Sequence, residues 1–188
     1  MNISDFKLNR TFFVNTEKYF EKIYGADYYN NKWPIYYPDI VLNNSFWYPA
    51  NPVIKWMHDS ALDSKISFRE FMIKYSEFLF EINLNSNHIF PGKFSDIKQL
   101  LEESIEYGKY YSNWADLKIT KNIVGYFTAE VTVPSIFHEF YLFGIEGVFS
   151  NLLKKCNNKI HDYKSDYCKS FFVDGIEFIN VRIDIKYE

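Results

Sequence analysis

Two adjacent residues near the carboxyl end, Asp174-Gly175, constrain this chain more than any other feature. Such a pair accepts the positive-φ positions of a two-residue turn, and the twist of that turn suits antiparallel strands. Residues 170–173 lead into it. Beyond it Ile179, Val181, Ile183, Ile185 and Tyr187 alternate with Asn180, Arg182, Asp184 and Lys186. A period of two predicts a strand with one apolar and one wet face, and therefore a terminal hairpin lying on a core. The same alternation runs from Ile123 to Val133, with Phe127, Ala129 and Val131 apolar and Thr128, Glu130 and Thr132 polar. Residues 117–120 read as a shorter partner strand.

Upstream the period lengthens. Ser67-Phe68-Arg69-Glu70 is a capping box, in which Ser and Glu side chains satisfy orphan donors at a helix start. Phe71, Met72, Tyr75, Phe78, Leu79 and Ile82 then recur at helical steps. Further helices are predicted over 16–24, capped by Asn15 or Thr16 and ended by Gly25, and from Asn51-Pro52 to about 62. Another is expected over 96–107, capped by Ser95 and stopped by Gly108. The last is centred on Ile145, Val148, Phe149, Leu152, Leu153 and Cys156. Between Tyr28 and Pro52 the prolines Pro34, Pro38, Pro49 and Pro52 leave room only for short extended pieces. The expectation is an α+β fold, with three to five helices packed on one face of a mainly antiparallel sheet ending in a C-terminal hairpin.

At 188 residues one core suffices, so residues 1–188 read as a single domain. The alternative is a helical part over 1–91 and an α+β part over 92–188. A net charge of −3 argues against a dedicated nucleic-acid binder. No apolar run has the length of a membrane span, since His138, Glu139 and Glu146 break the greasiest stretch. The first residues lack the pattern of a secretion signal, and two cysteines are too few for a disulfide framework, so the expected compartment is the cytoplasm.

Chemical motifs are sparse. His138-Glu139 opens like a zinc-protease helix, but Leu142 stands where the second histidine belongs. Cys156, His161 and Cys168 lack zinc-knuckle spacing. Pro38-Asp39 with Asp96-Ile97-Lys98 resembles a metal-dependent nuclease pattern, yet Asp-x-Lys recurs at Asp5, Asp63, Asp116, Asp162 and Asp184 and so carries little information. His58-Asp59 would point apart on a helix. Neither a nucleophile elbow nor a phosphate-cradling glycine loop is present. No metal and no cofactor is therefore expected.

One surface stands out. Glu102, Glu103 and Glu106 lie on the polar side of the expected 96–107 helix, followed by Tyr107, Tyr110, Tyr111, Trp114 and Asp116. Carboxylates beside flat rings suit a partner protein with a basic surface, charge setting the encounter rate and rings the residence time. In overall profile the chain is similar to bacterial immunity proteins, which implies a non-catalytic inhibitor neutralising a toxin domain, with no direct contact to nucleic acid or membrane. Two alternatives accompany this reading. One is an enzyme with a non-local site drawn from His88, His138, Glu139 and Asp39. The other is a glycan or small-molecule module stacking its ligand on Trp33, Trp47 or Tyr48.

Overall fold

The computed structural model describes residues 2–38, 40, 46–85, 102, 104, 105, 108, 109 and 111–188. A short strand β1 (Lys7–Asn9) leads into α1 (Arg10–Tyr24) and α2 (Tyr28–Tyr36). Strand β2 (Trp47–Pro49) pairs antiparallel with β1 and feeds α3 (Ala50–Asp63) and α4 (Phe68–Asn85). Helical residues recur within 102–111. The chain then forms β3 (Asp116–Ile123), β4 (Tyr126–Pro134), α5 (His138–Lys155), β5 (Ile160–Val173) and β6 (Ile176–Tyr187). The four long strands make one antiparallel sheet in the order β3-β4-β6-β5. This is the expected α+β architecture, with its helices against one face and the terminal hairpin in place.

That hairpin follows from its turn. Asp174 and Gly175 take φ of 49° and 82°, the paired left-handed conformations of a type I′ turn. The alternation then sorts the faces. Ala129, Val131, Ile183 and Val181 are fully buried partners in the β4–β6 register, and Phe127 meets Phe149 of α5 edge to face at 5.0 Å. On the opposite face Thr128 donates to Asp184 at 2.8 Å, and Arg182 pairs with the same carboxylate at 2.9 Å.

Several local expectations are corrected. The alternation from Ile123 to Val133 spans two strands, because Gly125 at φ 78° reverses the chain between β3 and β4. Helix α1 begins six residues earlier than Asn15 and Thr16 suggested. Asn9 caps it, accepting from the Phe12 amide at 2.9 Å, while Asn15 and Thr16 are buried inside the helix. Residues expected to be extended form α2 despite Pro34, because its rings stack: Trp33 on Tyr37 at 4.4 Å, and Tyr36 on Trp56 at 5.3 Å. Helix α3 starts at Ala50, so Pro52 still falls in the first turn, where its missing N–H costs no bond. Ser67 does cap α4, accepting from the Glu70 amide at 3.1 Å. Gly108 is no stop: it is helical.

Two walls of the fold are held together by side chains. Arg69 of α4 grips Glu146 of α5 with two nitrogens, Nε donating to Oε2 at 2.8 Å. Ser76 donates to the Gly144 carbonyl at 3.1 Å, and Lys154 reaches Glu77 at 3.0 Å. Gly147 permits this approach, since a Cβ there would lie 2.5 Å from the Ser76 Cβ.

Candidate functional site, an apolar cavity

A cavity of about 150 Å³ opens where these walls diverge. Leu8 of β1 and Phe12 of α1 close one end. Helix α4 contributes Met72, Tyr75 and Leu79, the 102–111 stretch Ser104, Gly108 and Tyr111, and α5 Tyr141, Gly144 and Phe149. The helical period explains the supply: Met72, Tyr75 and Leu79 recur at steps of three and four, so one face of α4 delivers all of them. Small residues explain the room. Among the described residues, a Cβ on Gly144 would meet only the Met72 methyl at 3.7 Å, and one on Gly108 only the Tyr141 hydroxyl at 3.7 Å.

No charged side chain lines the cavity among the described residues. Tyr75 is buried, which holds its phenol well above the usual range and therefore neutral. Its hydroxyl lies 2.8 Å from Thr16 Oγ1, which itself donates to the Phe12 carbonyl. Tyr75 is thus the donor, and its proton is committed. Burial, followed by the charge of Asp116, likewise raises Tyr141. Ser112 differs. It is 6% exposed, it lines the cavity, and its Oγ has no hydrogen-bond partner among the described residues. A buried hydroxyl left this way costs about 1–3 kcal/mol, and among the six such polar atoms of the described residues this one alone belongs to a residue that lines the cavity.

The residues singled out from sequence are dispersed. Of the acidic, ring-rich stretch, Glu102 is exposed and helical, whereas Glu103, Glu106, Tyr107 and Tyr110 lie outside the described residues. Asp116 is exposed at the start of β3 and pairs with Lys118 at 2.9 Å. The rings are turned inward. Tyr111 lines the cavity, edge-on to Phe12, and Trp114 packs among Phe6, Phe137 and Tyr141. Neither is a surface anchor, because the apolar faces expected to grip a partner are already covered by the core. The stacking platform dissolves for the same reason, with Trp33 and Tyr48 both packed on Phe13.

The non-local histidine site does not assemble among the described residues. His138 Nδ1 lies 2.6 Å from the Ser135 carbonyl, in a depression shared with Tyr167 and Cys168 and apart from the cavity. His161 pairs with Glu188 at 2.7 Å, and His58 stacks on Phe68. His88, Asp39 and residues 96–98 lie outside the described residues. Cys156 and Cys168 are free thiols, and no cluster of metal-ligating side chains occurs among the described residues. No helix among them is long and apolar enough to cross a membrane. Sequence reasoning missed the cavity, although glycine and serine inside helical patterns (Gly108, Gly144, Ser104) were a usable signal.

No protein-family pattern and no curated protein matches the chain. Solved structures do. The unliganded Fe(II) H-NOX protein from K. algicida superposes with a TM-score of 0.69 at 14% identity, covering 96% of this chain and 97% of that one. An oxygen-binding H-NOX domain related to soluble guanylate cyclases, solved as its oxygen complex, gives 0.62 at 14% identity over 95% of both chains. A structure probing haem distortion in the H-NOX family gives 0.59 at 15% identity, over 96% and 95%. These likenesses overturn the expectation of an immunity-type inhibitor that neutralises a toxin, since they span nearly the whole chain and none is such an inhibitor. The cavity among α4, α5 and β1, and the sheet that backs α5, belong to an H-NOX-like fold.

Proposed function

We propose that this chain is a cytoplasmic small-molecule sensor module that captures its ligand in the apolar cavity and reports occupancy through α5. One observation carries the reading: an apolar cavity, uncharged among the described residues, whose room is made by glycines in the helical stretches that wall it. The similar structures, among them one solved as an oxygen complex, support the ligand-sensing part. Phe149 supplies the route outward, because it lines the cavity and also packs edge to face on Phe127 of the sheet. A guest pressing on Phe149 thereby presses on β4.

Haem, named for one of the similar proteins, fits the described residues poorly. Haem iron is held by a histidine, a cysteine thiolate, a methionine opposite a histidine, or a tyrosinate. Here the cavity wall offers neither histidine nor cysteine among the described residues; the Tyr75 phenol is neutral and committed to Thr16. Met72 has no histidine facing it across the cavity among the described residues. The propionates of the macrocycle find no lysine or arginine in that wall among the described residues. An apolar chamber of about 150 Å³ is the size that accepts benzene or xenon, far short of four fused-in pyrrole rings. No step of this mechanism therefore runs through haem.

Xenon tests the reading directly. The ¹²⁹Xe resonance is expected to shift on adding the protein and to saturate, and Gly144→Ala, which places a methyl against the Met72 side chain, is expected to reduce the shift. A resonance identical to that in buffer would remove the chamber and the sensor reading with it.

A further inference from the structure

Building on the sensor reading, we infer that the native ligand is an uncharged, single-ring-sized molecule with an apolar body and one hydrogen-bonding group, which Ser112 recognises. Phenols have this chemistry.

Three features fix the class. Size comes first, since a chamber of about 150 Å³ admits a benzene-like body and excludes a macrocycle. Charge comes next. With no basic or acidic side chain in the described wall, a carboxylate or ammonium on the ligand would enter without a counter-ion, and the desolvation cost forbids it. The hydrogen-bonding group follows from Ser112. Its backbone is fixed by a bridge to Leu8, which places it beside the end of the chamber that Leu8 closes. Two other polar groups of the wall are engaged: Tyr75 with Thr16, and Ser76 with the Gly144 carbonyl. The Ser112 Oγ has no partner among the described residues, and a hydroxyl both donates and accepts, so one ligand O–H or N–H satisfies it. Around it Phe12, Tyr111 and Phe140 present ring edges and faces to a planar guest.

The test compares benzene, phenol and benzoate on the full chain by thermal shift and by ligand-observed NMR, with a parallel hemin titration. Benzene and phenol are expected to raise the melting temperature, by about 3–6 °C at ten times the dissociation constant, and benzoate is expected to do nothing. Phenol should bind about five- to tenfold tighter than benzene, the worth of one buried hydrogen bond. Ser112→Ala should bring phenol to parity with benzene, and Ser112→Thr, which keeps the hydroxyl, should restore part of the preference. Benzene binding without any phenol preference, or a preference that survives Ser112→Ala, overturns the ligand class and leaves the sensor reading standing. A one-to-one Soret band on adding hemin, lost in His88→Ala, does the same in favour of haem. Failure of every ring compound together with silent xenon overturns both.

Discussion

Two regions of this molecule use the same amino acids to opposite ends. Around α1, α2 and α3 the aromatic rings fill space completely: Phe20 stacks on Trp56 at 4.7 Å, Tyr36 covers the other part of Trp56, and Tyr24 lies on Tyr28 at 4.2 Å. Around the cavity Phe12, Tyr75 and Phe140 also meet edge to face, yet a chamber remains. The chemistry of the rings is shared, so it is the residues between them that differ. Where Gly144, Gly108, Ser104 and Ser112 stand among rings a cavity opens, whereas Ala50, Val53 and Met57 stand fully buried in the ring cluster. Packing density in a core is set by its smallest members as much as by its largest.

The sharpest way to break the contrast is Trp56→Ala. Removing a fully buried indole from the filled region should cost about 3–5 kcal/mol and lower the melting temperature by about 10 °C or more, read by calorimetry. An Ala substitution that the protein absorbs at under about 1 kcal/mol would mean the ring cluster is as loose as the cavity.

Next come two glycines three residues apart on α5. Gly147→Ala drives a methyl into Ser76 and should destabilise by about 1–3 kcal/mol. Gly144→Ala meets only ordinary contact at 3.7 Å and gains helix propensity, so it should stabilise by about 0.5–1 kcal/mol. Urea unfolding of the pair separates them; equal signs would refute the distinction between clasped and open stretches.

The smallest effect concerns His58, at the rim of the filled region. Burial lowers its pKa from 6.5, against the raising influence of Glu139 and Asp59. The unfolded chain then binds the proton more readily than the native one, so stability is complete above about 6.5 and is lost as the pH falls through that value toward the folded pKa. Urea midpoints between about pH 5 and pH 8 should show this slope, and His58→Phe, which keeps the stack on Phe68, should flatten it.

Much of the architecture is legible in the chain because it rests on local chemistry. Asp174-Gly175 demands its turn, the alternation around Val181 demands a face, and Ser67 needs only Glu70 three residues on to cap α4. The misreadings share a different cause. Pro34 sits inside α2 because distant rings hold that helix, and Asn15 reads as a cap only while Asn9 is overlooked. The site was illegible for a further reason. Tyr111 and Trp114 were visible as rings beside carboxylates, but which way a ring points is a property of the packed fold. A cavity is an absence, and Gly108 and Gly144 spell it only once the helices carrying them are set side by side.

The three cross-links between α4 and α5 bear on how the chamber can adapt. Arg69 with Glu146, Ser76 with Gly144 and Lys154 with Glu77 tie those two helices at three points, so parting them for a bulkier visitor strains these links. At the other end Leu8 is held by its pairing with Tyr48 and its bridge to Ser112, so the chamber is bounded by tied elements there as well. Leu8 and Phe12 are the lining side chains supplied from ahead of α2, and changing their size is a way to retune the guest without touching the two walls.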